Sequence, residues 1–203
     1  MSEIFFLGTT NWKEWRNEGT SDIDAFEVFQ VTGSDVVGDE SVLLGKMPDG
    51  TGTVFAVNGP MKVESTRTGA YFTDTEVLVT YDGDDPDVGD IYGPQDGYST
   101  VKKNWWPGIF ECLGVINSNF TIMRARMVPC TTAIGKLDGP LPQGGSATVS
   151  VWAGDLGSEE DTGANITAGD WLMKSGATAI ARGKKVICKR INGKWYVVEA
   201  ECA

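Results

Sequence analysis

The amino-acid sequence predicts an all-β protein, with two small β-barrel or sandwich domains in tandem after an N-terminal arm. Glycine accounts for 26 of the 203 residues, well above the roughly 7% of an average protein. Turn residues separate short apolar runs throughout the chain, and no segment carries the apolar stripe of an ordinary helix. We therefore predict an arm over residues 1–19, an N-terminal β domain over 20–130 and a C-terminal small β-barrel over 136–203.

The predicted arm contains two tryptophans among charged residues. Trp12 and Trp15 are three residues apart, a spacing that places both indoles on one face of a short helix. Two interpretations follow. The indoles dock on a neighbouring subunit, or they cover the barrel of their own domain.

The N-terminal β domain is predicted from alternating apolar and polar residues between turns. Its first strand covers residues 26–32, and further strands are expected at 41–46, 52–57, 61–64, 69–72 and 76–81. The acidic stretch 82–90 raises the alternatives of a calcium site and a solvated turn. Its spacing does not match an EF-hand loop, because Pro86 and Gly93 occupy ligand positions. We expect a solvated turn.

The second half of the chain has the same character. Strands are predicted at 109–116 and 120–128, followed by a boundary within 129–140 and further strands at 147–153, 166–174 and 178–181. The chain ends in a hairpin whose turn, Asn192-Gly193, is typical of type I′. Counting outward from that turn places Lys184 opposite Glu201.

Charge is divided unequally between the two halves of the chain. The net charge is −11 overall; residues 1–100 carry −14 and residues 101–203 carry +3. Residues 174–194 hold seven Lys and Arg and no acid. This asymmetry indicates an acidic partner or subunits packed head to tail, with solvated strand faces as the alternative. Nucleic acid is disfavoured because the whole chain repels phosphate. The candidate interaction residues are Trp12, Trp15, Lys184, Lys185, Lys189 and Arg190.

Composition argues against catalysis and metal binding. The chain has no histidine, so Ser–His and Cys–His nucleophile pairs and His metal sites are excluded. The four cysteines form no Cys-x-x-Cys motif, and we expect reduced thiols. No phosphate-binding loop or nucleophile elbow is present. We predict no enzyme activity, cofactor or metal, and no membrane partner, because no apolar run approaches the ~20 residues of a membrane span.

Two sets of motifs resemble those of a known family. Residues 25–33, 57–60 and 86–94 resemble a pattern in proteins of tailed-bacteriophage structural gene clusters. Residues 145–152, 161–163, 170–172, 183–186 and 193–197 are similar to the small β-barrel that ends many of those proteins. The resemblance implies a virion structural protein made in the host cytoplasm. It implies a capsid decoration protein, or another head- or tail-associated protein, that binds other virion proteins and copies of itself.

Alternatives to capsid decoration stay open. One is a tail, neck or fibre-attachment protein; another is a carbohydrate-binding module for host adsorption, with a glycan as its ligand. Exposed coplanar tryptophans favour the glycan-binding alternative. Buried tryptophans and large subunit interfaces favour the structural role.

Overall fold

The computed structural model describes residues 12–50, 52, 54–154, 157–173 and 178–201. Within these residues the chain forms fifteen β-strands and one short 3₁₀ turn. The strands are arranged in three five-stranded units along the chain. The all-β prediction is confirmed.

The first unit is a sheet with the strand order β4-β2-β3-β1-β5. Its strands are β1 (Trp12–Asn17), β2 (Val28–Val37), β3 (Glu40–Lys46), β4 (Phe55–Val57) and β5 (Thr68–Phe72). β1 runs parallel to β3 and antiparallel to β5. An isolated bridge between Asn58 and Tyr71 joins the two ends of the sheet, so the sheet is almost a closed barrel.

The second unit is a closed barrel with the order β10-β6-β8-β7-β9. Its strands are β6 (Glu76–Asp82), β7 (Ile91–Pro94), β8 (Val101–Lys103), β9 (Phe110–Asn117) and β10 (Ile122–Met127). The Asn117 side chain accepts hydrogen bonds from the first backbone N–H groups of the 3₁₀ turn Ser118–Phe120. This cap shapes the connection between β9 and β10.

The third unit is a closed barrel with the order β11-β12-β13-β15-β14. Its strands are β11 (Thr132–Leu137), β12 (Ser146–Ala153), β13 (Glu160–Asp170), β14 (Lys185–Ile191) and β15 (Lys194–Ala200). The β14–β15 turn has positive φ angles of 49° at Asn192 and 80° at Gly193, as a type I′ turn requires. The barrel begins at Thr132, just before the predicted boundary at 136.

The three units share one arrangement of strands. In the first two, the first and third strands are parallel, and the other neighbours around the ring are antiparallel. The third unit has the same ring of strands in a circularly permuted order, with β13 and β15 as its parallel pair. The hairpin β14–β15 is therefore the equivalent of β2–β3. A positive φ two residues before β2, β5, β7, β12 and β14 repeats the same entry turn. The predicted 20–130 domain therefore contains most of two similar units.

Packing joins the first two units and keeps the third more separate. One buried cluster combines Phe26 and Phe72 of the first unit with Val79 and Phe110 of the second. The third unit has its own core around Leu137, Val149 and Val197, against which Trp106 packs. A hydrogen bond of 3.0 Å from the Gly154 N–H to the Asn104 carbonyl links the second and third units.

The short helix predicted around Trp12 and Trp15 is wrong. Residues Trp12–Asn17 are a strand in the middle of the first sheet. Alternation decides the outcome, because Trp15 and Asn17 are buried and Glu14 is exposed. Gly69 lies opposite Trp15, where a Cβ atom would approach Val63 Cγ2 to 2.1 Å. The remainder of the predicted arm, residues 1–11, lies outside the described residues.

Candidate interaction surfaces

Trp15 faces the interior of its own unit, whereas Trp12 packs on the buried cluster that joins the first and second units. The Trp15 ring is fully buried and stacks on Phe29, with ring centroids 3.8 Å apart and planes 7° apart. Trp12 is half-buried, with its ring centroid 4.5 Å from that of Phe72. Trp15 is therefore a core residue and does not dock on a neighbour. The interpretation that these indoles cover their own domain fits the structure.

The four candidate basic residues of the C-terminal barrel divide into two kinds. Lys184 and Lys185 are half-buried, whereas Lys189 and Arg190 are exposed. The Lys185 Nζ lies 3.2 Å from a carboxylate oxygen of Glu159, whose side chain is only 9% exposed. The backbone N–H of Glu159, and then the Lys185 ammonium, hold the pKa of that carboxyl below its ordinary value. Lys185 thus serves an internal ion pair.

The predicted register near the base of the terminal hairpin is wrong by one residue. Cys188 lies opposite Val197, as counted from the turn, but Ile187 lies opposite Glu199. The extra residue is a β-bulge in β15. As a result Lys185, and not Lys184, meets Glu201, whose N–H donates to the Lys185 carbonyl oxygen at 2.8 Å.

An exposed surface on the third unit combines aromatic and basic side chains. Tyr196 on β15 lies opposite Lys189 on β14. Because strand residues two apart share a face, Lys194 lies on the same side as Tyr196. The Trp171 ring is 61% exposed and meets the Tyr196 ring edge-on, with centroids 5.2 Å apart. We call Trp171, Lys189, Lys194 and Tyr196 the basic face.

Asp170 fixes the backbone that carries Trp171. Its carboxylate accepts hydrogen bonds of 2.9 Å each from the backbone N–H groups of Gly144, Leu172 and Met173. Partial burial works to raise the pKa of Asp170, but these three donors outweigh it and lower the pKa. The loop after β13 is therefore held in place while the indole stays exposed.

A second exposed surface is the hairpin formed by the outer parts of β2 and β3. Residues 32–41 are all exposed, although a strand in a sheet normally buries every other residue. Pairing of β2 with β4 ends at Gln30, and pairing of β3 with β1 ends at Leu43. Beyond these points the hairpin projects from the sheet. We call residues 32–41 the acidic hairpin.

The tip of the acidic hairpin is apolar and negatively charged. Val36 and Val37 are 70% and 57% exposed, and Asp39 and Glu40 beside them are exposed acids. Near its base, Asp35 accepts a hydrogen bond of 3.2 Å from Arg16. A two-stranded hairpin without a covered face has little stability of its own in water. This tip has the composition of a surface that binds a partner.

A cleft of about 580 Å³ lies between the second and third units. Its lining includes Trp105, Tyr98 and four carboxylates, namely Asp82, Asp96, Glu160 and Asp161. The Lys102 Nζ lies 4.5 Å from the centroid of the Trp105 ring, so one face of that indole is already covered. The cleft therefore lacks an open tryptophan platform with both faces free.

The acidic stretch 82–90 is engaged in contacts within the chain. Asp90 pairs with Lys103 at 2.7 Å, and this contact lowers the pKa of Asp90. The Tyr81 hydroxyl donates to Asp85, and burial followed by this contact raises the pKa of Tyr81 to about 12. Among the described residues, no group of three or more His, Cys, Asp or Glu side chains is placed to hold a metal ion.

Comparison with known proteins gives only a distant structural similarity. No family model matches the chain, and no curated protein matches it. Among solved structures, the chain is similar to the head fiber gp8.5 N base of bacteriophage phi29. The identity is 11% and the TM-score 0.40, over 58% of this chain and 95% of that chain. In the described part of the chain, no helix has the length and apolar character needed to span a membrane.

The seven tryptophans are mostly packed inside the protein. Trp15 is fully buried, and Trp171 is the one tryptophan classed as exposed; the others are half-buried, namely Trp12, Trp105, Trp106, Trp152 and Trp195. Trp171 meets Tyr196 at 66° and not in a plane. The coplanar exposed tryptophans expected of a sugar-stacking surface are therefore not found among the described residues.

The acidic hairpin and the aromatic part of the basic face are not among the features predicted from the sequence. The hairpin had a local signal, since Gly38-Asp39 lies between Val36-Val37 and an apolar run, as a two-residue turn with glycine first would. Trp171 and Tyr196 come from different strands, and only the parallel pairing of β13 with β15 brings them together. No local signal identifies that contact.

Proposed function

We propose that the chain is a structural protein of a tailed-phage virion, associated with the head and present in many copies. In this role it works by binding its neighbours and not by catalysis. The acidic hairpin is the observation that carries the proposal, because it exposes ten consecutive residues with an apolar tip that a partner would cover. The resemblance of the motifs in 25–94 and 145–197 to proteins of phage structural gene clusters supports the same role.

Capsid decoration is the first choice among positions in the particle. A protein that coats a shell needs rigid small domains and projecting elements that reach adjacent subunits. Three tandem five-stranded units with one projecting hairpin meet this need. A tail, neck or fibre-attachment position requires the same kind of contacts, and it differs in copy number.

A role in binding other virion proteins is favoured over a role as a glycan-binding module. One tryptophan is fully buried and five are half-buried, and Lys102 covers one face of Trp105. The carboxylates of Glu159 and Asp90 form ion pairs with lysines of the same chain, so these acidic residues stabilise the fold. These observations support contacts between proteins as the task of the surface.

The copy number of the chain in purified particles tests the proposal. Quantitative mass spectrometry with isotope-labelled peptides measures the ratio of this chain to the major capsid protein, and immunogold labelling gives its position. We expect labelling over the whole head and a copy number in proportion to the capsomers. Label at the neck or tail with a low copy number would contradict decoration, and absence from particles would contradict the virion role.

A further inference from the structure

The acidic hairpin and the basic face are complementary surfaces of the same chain. The hairpin presents Val37 and Glu40 opposite each other on one face of its tip, with Val36 on the other face and Asp39 in the turn. The basic face presents the Trp171 and Tyr196 rings beside the ammonium groups of Lys189 and Lys194. Aliphatic side chains pack well on aromatic rings, and opposite charges orient such a contact.

The acidic hairpin, Trp171 and the two lysines are exposed within one molecule, with Tyr196 half-buried beside them, so the two surfaces do not cover each other inside the chain. The distribution of charge points to another copy as the partner. The half that contains the hairpin carries −14 and the half that contains the basic face carries +3. Every copy therefore offers both members of the pair.

We propose that the acidic hairpin of one copy docks on the basic face of a second copy. The occupied contact places Val37 against Trp171 and Tyr196, with the carboxylates of Glu40 beside it and Asp39 in the turn toward the two lysines, while Val36 packs at the edge of the contact. Six residues of extended strand reach about 20 Å, so the hairpin spans the gap between two neighbouring bodies. The inference deepens the proposed structural role and rests on it for the setting in which copies meet.

Because the contact joins two different surfaces, copies can repeat it head to tail. A head-to-tail contact leaves one hairpin and one basic face free at the ends, so it generates rings or open chains and not closed pairs. Such an assembly suits a repeated surface. Apolar burial supplies most of the affinity, while charge sets the encounter rate and the orientation.

Sedimentation of the purified full chain over a range of protein and salt concentrations tests the contact. We expect reversible association that grows beyond a dimer and weakens as salt rises. The double substitution V36S/V37S, and separately W171A, should raise the dissociation constant about tenfold or more. M61S and V88S are matched controls, because Met61 and Val88 are 76% and 75% exposed and lie outside both surfaces; they should leave association unchanged.

Charge reversal gives a sharper version of the test. D39K/E40K creates a chain with two basic surfaces, and K189E/K194E creates one with two acidic surfaces. Each alone should associate about tenfold or more weakly, whereas their equimolar mixture should recover association, because both hairpin–face contacts between the two variants are complementary. Circular dichroism of each variant confirms that the fold is retained.

Several outcomes would overturn the contact. These are a wild-type chain that stays monomeric at low salt, control variants that weaken association as much as V36S/V37S, or charge-reversed chains that fail to pair when mixed. The particle measurement separates this inference from the proposed function. Normal occupancy of V36S/V37S in particles would overturn the contact and leave the virion role standing. Association in solution with no copies in particles would overturn the virion role alone.

Discussion

Asn58 is the polar centre of the first sheet, and its removal is the perturbation with the clearest expected cost. The side chain is fully buried. Its Oδ1 accepts a hydrogen bond of 3.1 Å from Trp15 Nε1, and its Nδ2 donates to the carbonyl oxygens of Asp24 and Met61 at 2.8 Å each. These bonds tie β1 to the segments before β2 and after β4. The acidic hairpin projects from this sheet.

The substitution Asn58→Ala should lower the free energy of unfolding by about 3–5 kcal/mol. It leaves the Trp15 indole N–H and the Met61 carbonyl oxygen without their partner, whereas the Asp24 carbonyl still accepts from the Glu27 N–H at 3.4 Å; each unsatisfied buried group costs about 1–3 kcal/mol. Partial relaxation and entry of water keep the total below the sum of the extremes. Urea unfolding followed by far-ultraviolet circular dichroism measures the change. Asn165→Ala is the matched control, since Asn165 is exposed on β13 and should cost less than about 0.5 kcal/mol.

A double-mutant cycle with Trp15→Phe assigns the cost to the hydrogen bond. Phenylalanine keeps an aromatic ring beside Phe29 but lacks the N–H that Asn58 accepts. We expect a coupling energy of about 1 kcal/mol between the two substitutions. The reasoning is refuted if Asn58→Ala costs no more than Asn165→Ala, or if the two substitutions add without coupling.

Three further predictions concern the C-terminal barrel. Asn192→Pro should lower stability by about 3 kcal/mol or more, because φ is 49° at this position and proline requires a negative φ; an unchanged melting temperature would contradict it. Burial raises the pKa of the Cys188 thiol to about 12. The contribution of this thiol to stability is therefore fully present below the ordinary thiol pKa, and the free energy of unfolding falls by up to about 1.4 kcal/mol per pH unit between that pKa and about 12. Cys188→Ala should reduce this alkaline slope, measured by urea unfolding. Lys185→Ala should lower the free energy of unfolding by about 1 kcal/mol through loss of the ion pair with Glu159, whereas Lys189→Ala should change it by less than about 0.5 kcal/mol. Equal effects of the two substitutions in thermal unfolding would contradict the distinction between a lysine paired within the chain and an exposed one.

Local turn chemistry made part of the fold predictable from sequence. Asn192-Gly193 fixes its own backbone through two positive φ angles, and the pairs next to it follow by counting, down to Cys188 opposite Val197. The count fails beyond the bulge, because an extra residue depends on how β15 twists around the barrel and not on the turn. The same bulge gives the Glu201 contact to Lys185.

The rest of the fold depends on pairing between segments distant in sequence, which local patterns do not reveal. The spacing of Trp12 and Trp15 suits a helix locally, but β3 and β5 supply partners on both sides and make the segment a strand. The entry turn that repeats through the chain also escaped notice, because Phe26 and Thr66 hold positive φ angles where glycine would have revealed the pattern. Without that pattern, the sequence of the first two units predicts a single domain over residues 20–130.

The two complementary surfaces are built on equivalent hairpins, and this limits how copies can meet. β2–β3 and β14–β15 occupy the same place in the shared ring of strands. The first is tipped by Asp39 and Glu40, and the second carries Lys189 and Lys194. A two-fold pairing of like hairpins would bring acid against acid or lysine against lysine, which is unfavourable across an interface. Equivalent places in the ring of strands with opposite charge therefore favour contacts that pair the acidic hairpin of one copy with the basic hairpin of another.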